Sequence, residues 1–558
     1  MSVASASLAA ASGAGRTVDR LLEHPRAVLG TLVGAQILAT VALALTVEHN
    51  GWVWFQGGDQ IVNTTTGWLA GQRILPPTEI SYLWPLFQTP LTAITGPTFL
   101  QAMPPLVLFQ VLVLGPVALL CVYGIAAEIG GRLLGYWASF LWVVAPFAAI
   151  PLFVDRYHEK WTEQFLPQAL GLTGMPDYPS MVLVLVAALL VVRSLSSGRL
   201  VEALLAGLVA GAAGGVKPPN YLFVVGAALA YLVARRWREG GLFLVALVPS
   251  ILVLAFWKER GLGYIPALTL GGTRLAAGIG ASSVDFNRYF DLDWEHWKTQ
   301  MDYLREFFWS ARLAQWAPFA GLLAVLRVRR GALAALLAGW LGAFLLVKGF
   351  SPRADIQANT FWRLLMPAWP AYLLLFASIP LLVPTLPARL GRRLDPPSTP
   401  RVRQRWLAVA ATAFVLLPAA ATAASSQLRP PDPPALVQDT GSAFILTPVD
   451  DAVSLTVVRA GKANKLTWTV DGAWRGNVFY KVYRSDAAGG DTLCSTDRNL
   501  SWSCFLKGQE IATTRDLTFV DPAPPPRATY RIGVGTNWAD DPAQGDVFAL
   551  SPEVVIAR

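Results

Sequence analysis

"RLVEALLAGLVAGAAGGVKPPNYLFVVGAALAYLVARRWR", residues 199–238, holds two apolar runs. Lys217-Pro218-Pro219 separates them, and Arg235, Arg236 and Arg238 close the stretch. A helix that crosses a bilayer needs about 20 mainly apolar residues, and each run approaches that length. Proline cannot continue a helix, so the runs read as two spans joined by a tight turn. Lys and Arg gather on the cytoplasmic side of membrane proteins. Arg199 and the 235–238 cluster therefore place the far ends inside, and the Lys217 turn outside.

The same grammar extends along the chain. Of 558 residues, 54% are hydrophobic and 15% charged, and mean hydropathy is +0.45. Soluble domains carry about 25% charged residues. The pattern predicts a polytopic α-helical membrane protein of about eleven spans. Their cores are 27–47, 101–123, 134–153, 180–193, 200–216, 220–234, 241–257, 311–327, 331–348, 362–385 and 405–424. Arg16, Arg20 and Arg26 precede the first span, Arg193 joins Arg199, Arg327, Arg329 and Arg330 follow the eighth, and Arg389–Arg405 fill the tenth connection. All fall on one side if the spans alternate. That reading makes a multi-pass plasma-membrane protein with its amino terminus in the cytoplasm and its carboxy terminus outside. A net charge of +9 is thereby a topology signal, and a nucleic-acid partner is rejected. A cleaved signal peptide ending near Ala42-Leu43-Ala44 is the competing reading of the first span, whose apolar run is long for one.

This organisation divides the chain into a cytoplasmic segment 1–26, a membrane domain 27–424, a Pro-rich linker 425–440 and an extracytoplasmic domain 441–558. The substantial outside segments are 48–100, 154–179, 258–310 and the tail. Most inside connections are short, so recognition or chemistry is expected outside.

In the tail the hydrophobic period changes. "KLTWTV", "VFYKVYRS", "LTFVD", "TYRIGVGTNW" and "SPEVVIA" alternate apolar and polar residues between turn residues, which argues for an all-β sandwich. The segment resembles a fibronectin type III module, with Trp468 as its core tryptophan and Tyr530 in the place of a tyrosine corner. Cys494 and Cys504 lie in this outside domain, where a disulfide persists, and are expected to pair. Cys121, in an apolar span, reads as a packing residue.

Five stretches could carry chemistry. In "HNGWVWFQGGDQIVNTTTGWL", residues 49–69, Asp59 stands alone among aromatic and glycine residues at the outer edge of the first span. Partial desolvation would raise its basicity and suit it to general-base work. The competing reading is an N-terminal cap for a helix starting near Ile61. Lys217 could neutralise a lipid phosphate or simply snorkel to water. In "NTFWRLLMPAWPAYLLL", residues 359–375, Arg363 opens the tenth span ahead of Pro367 and Pro370; it is a planar phosphate fork or an interfacial anchor beside Trp362. Residues 153–180 collect Asp155, Arg156, His158, Glu159, Lys160, Glu163 and Asp177. They read as a solvated loop in which Arg156 and Tyr157, nearest the membrane edge, are the better candidates. His158 and Glu159 fit no firm zinc spacing. Last, Trp294, Trp297, Met301, Leu304 and Phe308 recur at helical spacing, predicting a helix along the outer surface. There is no Walker loop, dinucleotide fingerprint or Ser-His-Asp signature; "GTRLAAGIGAS" follows no strand, and the Asn63 and Asn499 glycan patterns are common by chance.

Together these features resemble the GT-C superfamily of integral-membrane glycosyltransferases, which use polyprenyl-phosphate-linked sugars. The likeness covers 27–385 and rests on Asp59, Lys217-Pro218, and Arg363 with Pro367 and Pro370. It implies transfer of a sugar from a polyprenyl-phosphate donor to an extracytoplasmic glycan, lipid or protein, with inversion. Asp59 would be the base, with Lys217, Arg363, Arg156, Tyr157, Gln60 and Glu79 at the substrate. Many relatives carry adjacent acidic residues in the first loop; here Gln60 follows Asp59, and Glu79 is the other carboxylate of that loop. No metal ligands are assigned and no cofactor is required, with a divalent metal left open. The alternatives are a transporter or flippase of lipid-linked sugars, which would show internal repeats, and a structural envelope protein acting through its sandwich.

Overall fold

The structure is a computed structural model that describes residues 24–46, 58–76, 80–152, 165–262, 265, 292–307, 313–350, 363, 365–383, 404–425, 432–439, 444–471, 478–486, 490–494, 504–536 and 546–557. Each segment read as a span contains a helix. Helix α1 is Pro25–Thr46, and two short helices, α2 (Gly58–Gly71) and α3 (Leu83–Thr95), follow it. Helix α4 runs Phe99–Gly130 with a π segment at Gln110–Leu114. Then come α5 (Arg132–Leu152), α6 (Asp177–Ser197), α7 (Leu200–Val216), α8 (Phe223–Val233) and α9 (Trp237–Leu262). The remainder are α10 (Trp294–Phe307), α11 (Leu313–Arg327), α12 (Gly331–Gly349), α13 (Trp369–Ser378) and α14 (Gln404–Ala424). Among the described residues, five helices, α1, α4, α6, α9 and α12, are long and apolar enough to cross a membrane.

Small residues let these helices approach closely. A Cβ on Gly207 in α7 would lie 2.2 Å from the Phe243 carbonyl of α9, and one on Gly226 in α8 would lie 2.5 Å from the Leu336 carbonyl of α12. The expected surface helix is α10; its Trp297 and Met301 pack on Gly349 at the end of α12, and Trp294 meets Phe350 edge-on at 4.7 Å. Cys121 is a buried free thiol.

The tail is a β domain. Strands β3 (Val453–Ala460), β4 (Ala463–Val470) and β9 (Thr518–Asp521) form one antiparallel sheet. A second runs β11 (Asp546–Leu550), β10 (Arg527–Thr536), β5 (Val478–Ser485), β8 (Gln509–Thr514), with β12 (Val554–Ala557) also on β10. Alternating residues face inward, as in the buried Leu466 and Trp468 of β4. Trp468 meets Tyr480 of the other sheet at 5.6 Å, so the two sheets share a core. Tyr530 is fully buried and donates to Asp521 at 2.6 Å. A third sheet has the order β2 (Phe444–Pro448), β1 (Ala435–Asp439), β7 (Cys504–Leu506), β6 (Thr492–Cys494), and Cys494 is bonded to Cys504.

The expectation for the linker needs correction. Residues 435–439 are β1, paired with β2 in regular antiparallel register. "ALVQD" directly follows the prolines and does not alternate, its first four residues all being buried, so only the pairing with β2 marks it as a strand.

Candidate active site

Helix α2 starts at Gly58, three residues before the expected Ile61, and holds Asp59 in its first turn. One side of α2 is fixed by the β domain: Val62, Trp68, Leu69 and Ile74 pack with Ala435, Leu436, Leu446, Val547 and Leu550. The other meets α3, where Thr64 donates to Gln88 at 2.8 Å in a buried pair.

Asp59 is joined to a residue far along the chain. Arg363 Nη2 donates to Asp59 Oδ2 at 2.6 Å, lies 3.5 Å from Asp177 Oδ2 and 3.6 Å from Met175 Sδ. Lys217 donates to the other oxygen of Asp177. Two carboxylates and two cations thus alternate as Asp59, Arg363, Asp177, Lys217. Exposure grades along the row: the side chains are 54%, 24%, 0% and 15% exposed respectively. Asp59 is the member that reaches open space.

Local sequence explains each placement. Lys217 follows the last residue of α7 with an extended backbone, and Pro218 and Pro219 begin a 3-10 turn through Leu222. That turn sends the side chain inward to Asp177, so the snorkelling alternative is not realised. Asp177 begins α6, after a loop clamped by three side chains. Gln60 Oε1 accepts from Gly174 N–H at 2.7 Å, Trp84 Nε1 donates to Gly174 O at 3.0 Å, and Gln110 Nε2 donates to Thr173 O at 2.7 Å.

The charges shape one another. The Arg363 guanidinium holds the Asp59 carboxyl below its usual range, against burial, with Lys217 adding to the effect. This overturns the expectation that desolvation would make Asp59 more basic; the nearby cation outweighs burial. For Lys217 burial wins, and the ammonium is held less tightly than usual despite Asp177. Arg363 Nε is buried without a hydrogen-bond partner among the described residues, so the guanidinium keeps an unused donor.

The residues singled out from sequence separate into three groups. Asp59, Lys217 and Arg363 converge. Gln60 is wholly buried and contacts the 172–176 loop, so it belongs to the wall behind the site. Arg156, Tyr157 and Glu79 lie outside the described residues, as do His158 and Glu159. Asp177 was missed: it was read as part of a solvated loop, whereas residues 165–180 are almost all buried. Its signal was present, since an aspartate directly before an apolar run marks a helix start.

An apolar cavity of about 670 Å³ adjoins this region. Trp297 and Met301 of α10, Trp316 and Phe319 of α11, and Trp369 and Tyr372 of α13 line it. Leu365 and Met366, just after Arg363, are also in its wall.

No family model matches the chain, and no curated protein matches it. Among solved structures, the chain is similar to the apo form of an oligosaccharyltransferase from Archaeoglobus fulgidus, at 12% identity and a TM-score of 0.40. The alignment covers 71% of this chain and 56% of that one.

Proposed function

We propose that this chain is a membrane glycosyltransferase of the GT-C kind, moving a sugar from a polyprenyl-phosphate donor to an acceptor outside the cytoplasm. The observation that carries the reading is an ionised, accessible Asp59 held by Arg363, whose next residues enter the wall of a large apolar cavity. A lipid-phosphate sugar has the matching parts: an apolar tail, one negative phosphodiester, and a sugar carbon beside it.

In the resting state the row of four is electrically balanced, and Asp59 is a weak base because Arg363 stabilises its charge. A donor phosphate competes for Arg363, using its idle Nε–H and the fork geometry of a guanidinium. Arg363 turns from Asp59 to the phosphate while Lys217 stays with Asp177. Loss of that cation raises the basicity of Asp59 only when donor is bound. Asp59 then takes the acceptor hydroxyl proton as the oxygen attacks the anomeric carbon. The bond from that carbon to the phosphate oxygen breaks, and its electron pair leaves with the polyprenyl phosphate, whose charge Arg363 stabilises in contact and Lys217 from its place on Asp177. Attack opposite the leaving group inverts the carbon. No cofactor takes part in this scheme. The protein would act from the plasma membrane with its β domain outside, resembling a fibronectin type III module beside the acceptor path.

The test uses purified full-length protein and a panel of decaprenyl-phosphate-linked pentoses and hexoses, offered with envelope glycans. Wild type releases decaprenyl phosphate and forms a glycoside, while folded Asp59→Asn does neither. Full transfer by Asp59→Asn would refute the base assignment. Movement of intact donor across vesicles without a covalent product would favour a flippase instead.

A further inference from the structure

The β domain reaches the residue next to Asp59. The Asp546 carboxylate, at the start of β11, accepts a hydrogen bond from Gly58 N–H, at the start of α2. A Cβ on Gly58 would stand 2.9 Å from Ile445 Cδ1 of β2 and 3.6 Å from Asp546 Oδ2. Two strands of different sheets therefore close on one glycine. The first amides of a helix have no partner within it, and here another domain supplies one. The charged groups facing Asp546 are Asp59 on α2 and Lys481 on β5; Lys481 also pairs with Glu510 of β8 at 3.1 Å.

We propose that Asp546 is a positioning residue for Asp59: by accepting the Gly58 amide it fixes the first turn of α2 and aims the Asp59 carboxylate at Arg363 and the acceptor hydroxyl. This rests on the sugar-transfer reading. It gives the β domain a part in the reaction itself, because the base is aligned only while that domain is docked. A carboxylate holds an amide about twice as strongly as a neutral acceptor does. Burial pushes Asp546 up to about 6, whereas Asp59 is held low. The two carboxylates therefore act in separate pH ranges.

The experiment measures decaprenyl phosphate released by full-length wild type, Asp546→Ala and Asp546→Asn, with the donor panel above. Misplacing a catalytic group by about 1 Å costs on the order of a hundredfold, so kcat of Asp546→Ala should fall by about that factor with donor KM unchanged. Asp546→Asn keeps a neutral acceptor oxygen, as the protonated acid does, and should recover only part of the loss. Wild-type kcat/KM, which reports the free enzyme, should decline on the acid side with a midpoint near the Asp546 value, and Asp546→Asn should lack that limb. Wild-type kcat in Asp546→Ala, or the same acid limb in wild type and Asp546→Asn, would overturn the proposal. If thermal melting shows Asp546→Ala unfolded, the comparison of wild type with Asp546→Asn decides alone. An inactive Asp59→Asn beside an unimpaired Asp546→Ala would defeat the positioning role and leave sugar transfer standing. A fully active Asp59→Asn would defeat both.

Discussion

Arg363 reaches back 304 residues to donate to Asp59, with 2.6 Å between Nη2 and Oδ2, and the same nitrogen lies 3.5 Å from Asp177. One guanidinium thus sets the charge of the accessible carboxylate and bridges it to the buried one. Replacing it should change how Asp59 titrates. Arg363 lowers the Asp59 value while burial raises it, so in Arg363→Met burial is opposed by Lys217 alone. A base works when deprotonated, so activity is lost as pH falls through its value. In Arg363→Met that loss should move to higher pH, and kcat should drop by about a hundredfold as the leaving phosphate loses a cation. A pH profile of kcat/KM, which reports the free enzyme, checks this; an acid limb that stays in place would contradict the pairing.

Asp177 and Lys217 form a pair largely out of water, with side chains 0% and 15% exposed. Removing one member of such a pair leaves a buried charge, a loss of about 3–5 kcal/mol. Asp177→Asn and Lys217→Met should each lower the melting temperature strongly. The double variant should lose less than the sum of the two, because no charge is stranded. Simple additivity in a double-mutant cycle would show that the two side chains do not interact in solution.

Much of this arrangement was legible before folding, for identifiable reasons. Apolar runs and basic clusters are local signals, and they located the helices. The Lys217-Pro218-Pro219 turn was readable because proline acts on its own backbone. The partners of Asp59 and Lys217 were not readable as contacts, because Arg363 and Asp177 lie far away in sequence and nothing local points to them. Asp177 was misjudged for the same reason. The polar residues 154–164 dominate the stretch before it, whereas 165–176 is mostly apolar and is buried, with Gln60, Trp84 and Gln110, from three separate segments, bonded to its backbone. Strand β1 was lost among prolines, since its pairing with β2 is visible only in the sheet.

Gln60 offers a test of that clamp. Its Oε1 satisfies a buried amide at Gly174, and stranding such a donor costs about 1–3 kcal/mol. Gln60→Leu should therefore reduce stability by that amount while donor KM changes little. A large rise in donor KM at unchanged stability would instead place Gln60 at the substrate, the role the family resemblance implied.

The Cys494–Cys504 bond closes a short loop at sequence separation 10. Crosslinks of that size stabilise by about 2–3 kcal/mol through the unfolded chain. Cys494→Ser with Cys504→Ser should melt at lower temperature yet retain transfer at assay temperature, because Phe505 and Leu506 still pack in the cluster that includes Val62, Trp68 and Leu69 of α2 when the bond is absent. Complete loss of transfer in a folded double variant would show that the edge of the β domain contributes to the acceptor path.

Asp546 should cost the fold stability at neutral pH. Its value rises from 3.8 to about 6, mainly by burial, with Asp59 adding to the rise and Lys481 and the Gly58 amide opposing it. The folded protein therefore keeps a proton that the unfolded chain releases between those values, and stability falls as pH rises through that window. Above it the cost is complete, at most about 3 kcal/mol before solvent screening is allowed for. Asp546→Asn removes the charge and should melt higher than wild type at pH well above the window, with the gap closing as pH falls below it. The same substitution is expected to reduce kcat. A variant at once more stable and slower is what a charge kept for alignment produces, whereas equal melting at every pH would mean that the Asp546 carboxylate is solvated rather than pressed against α2.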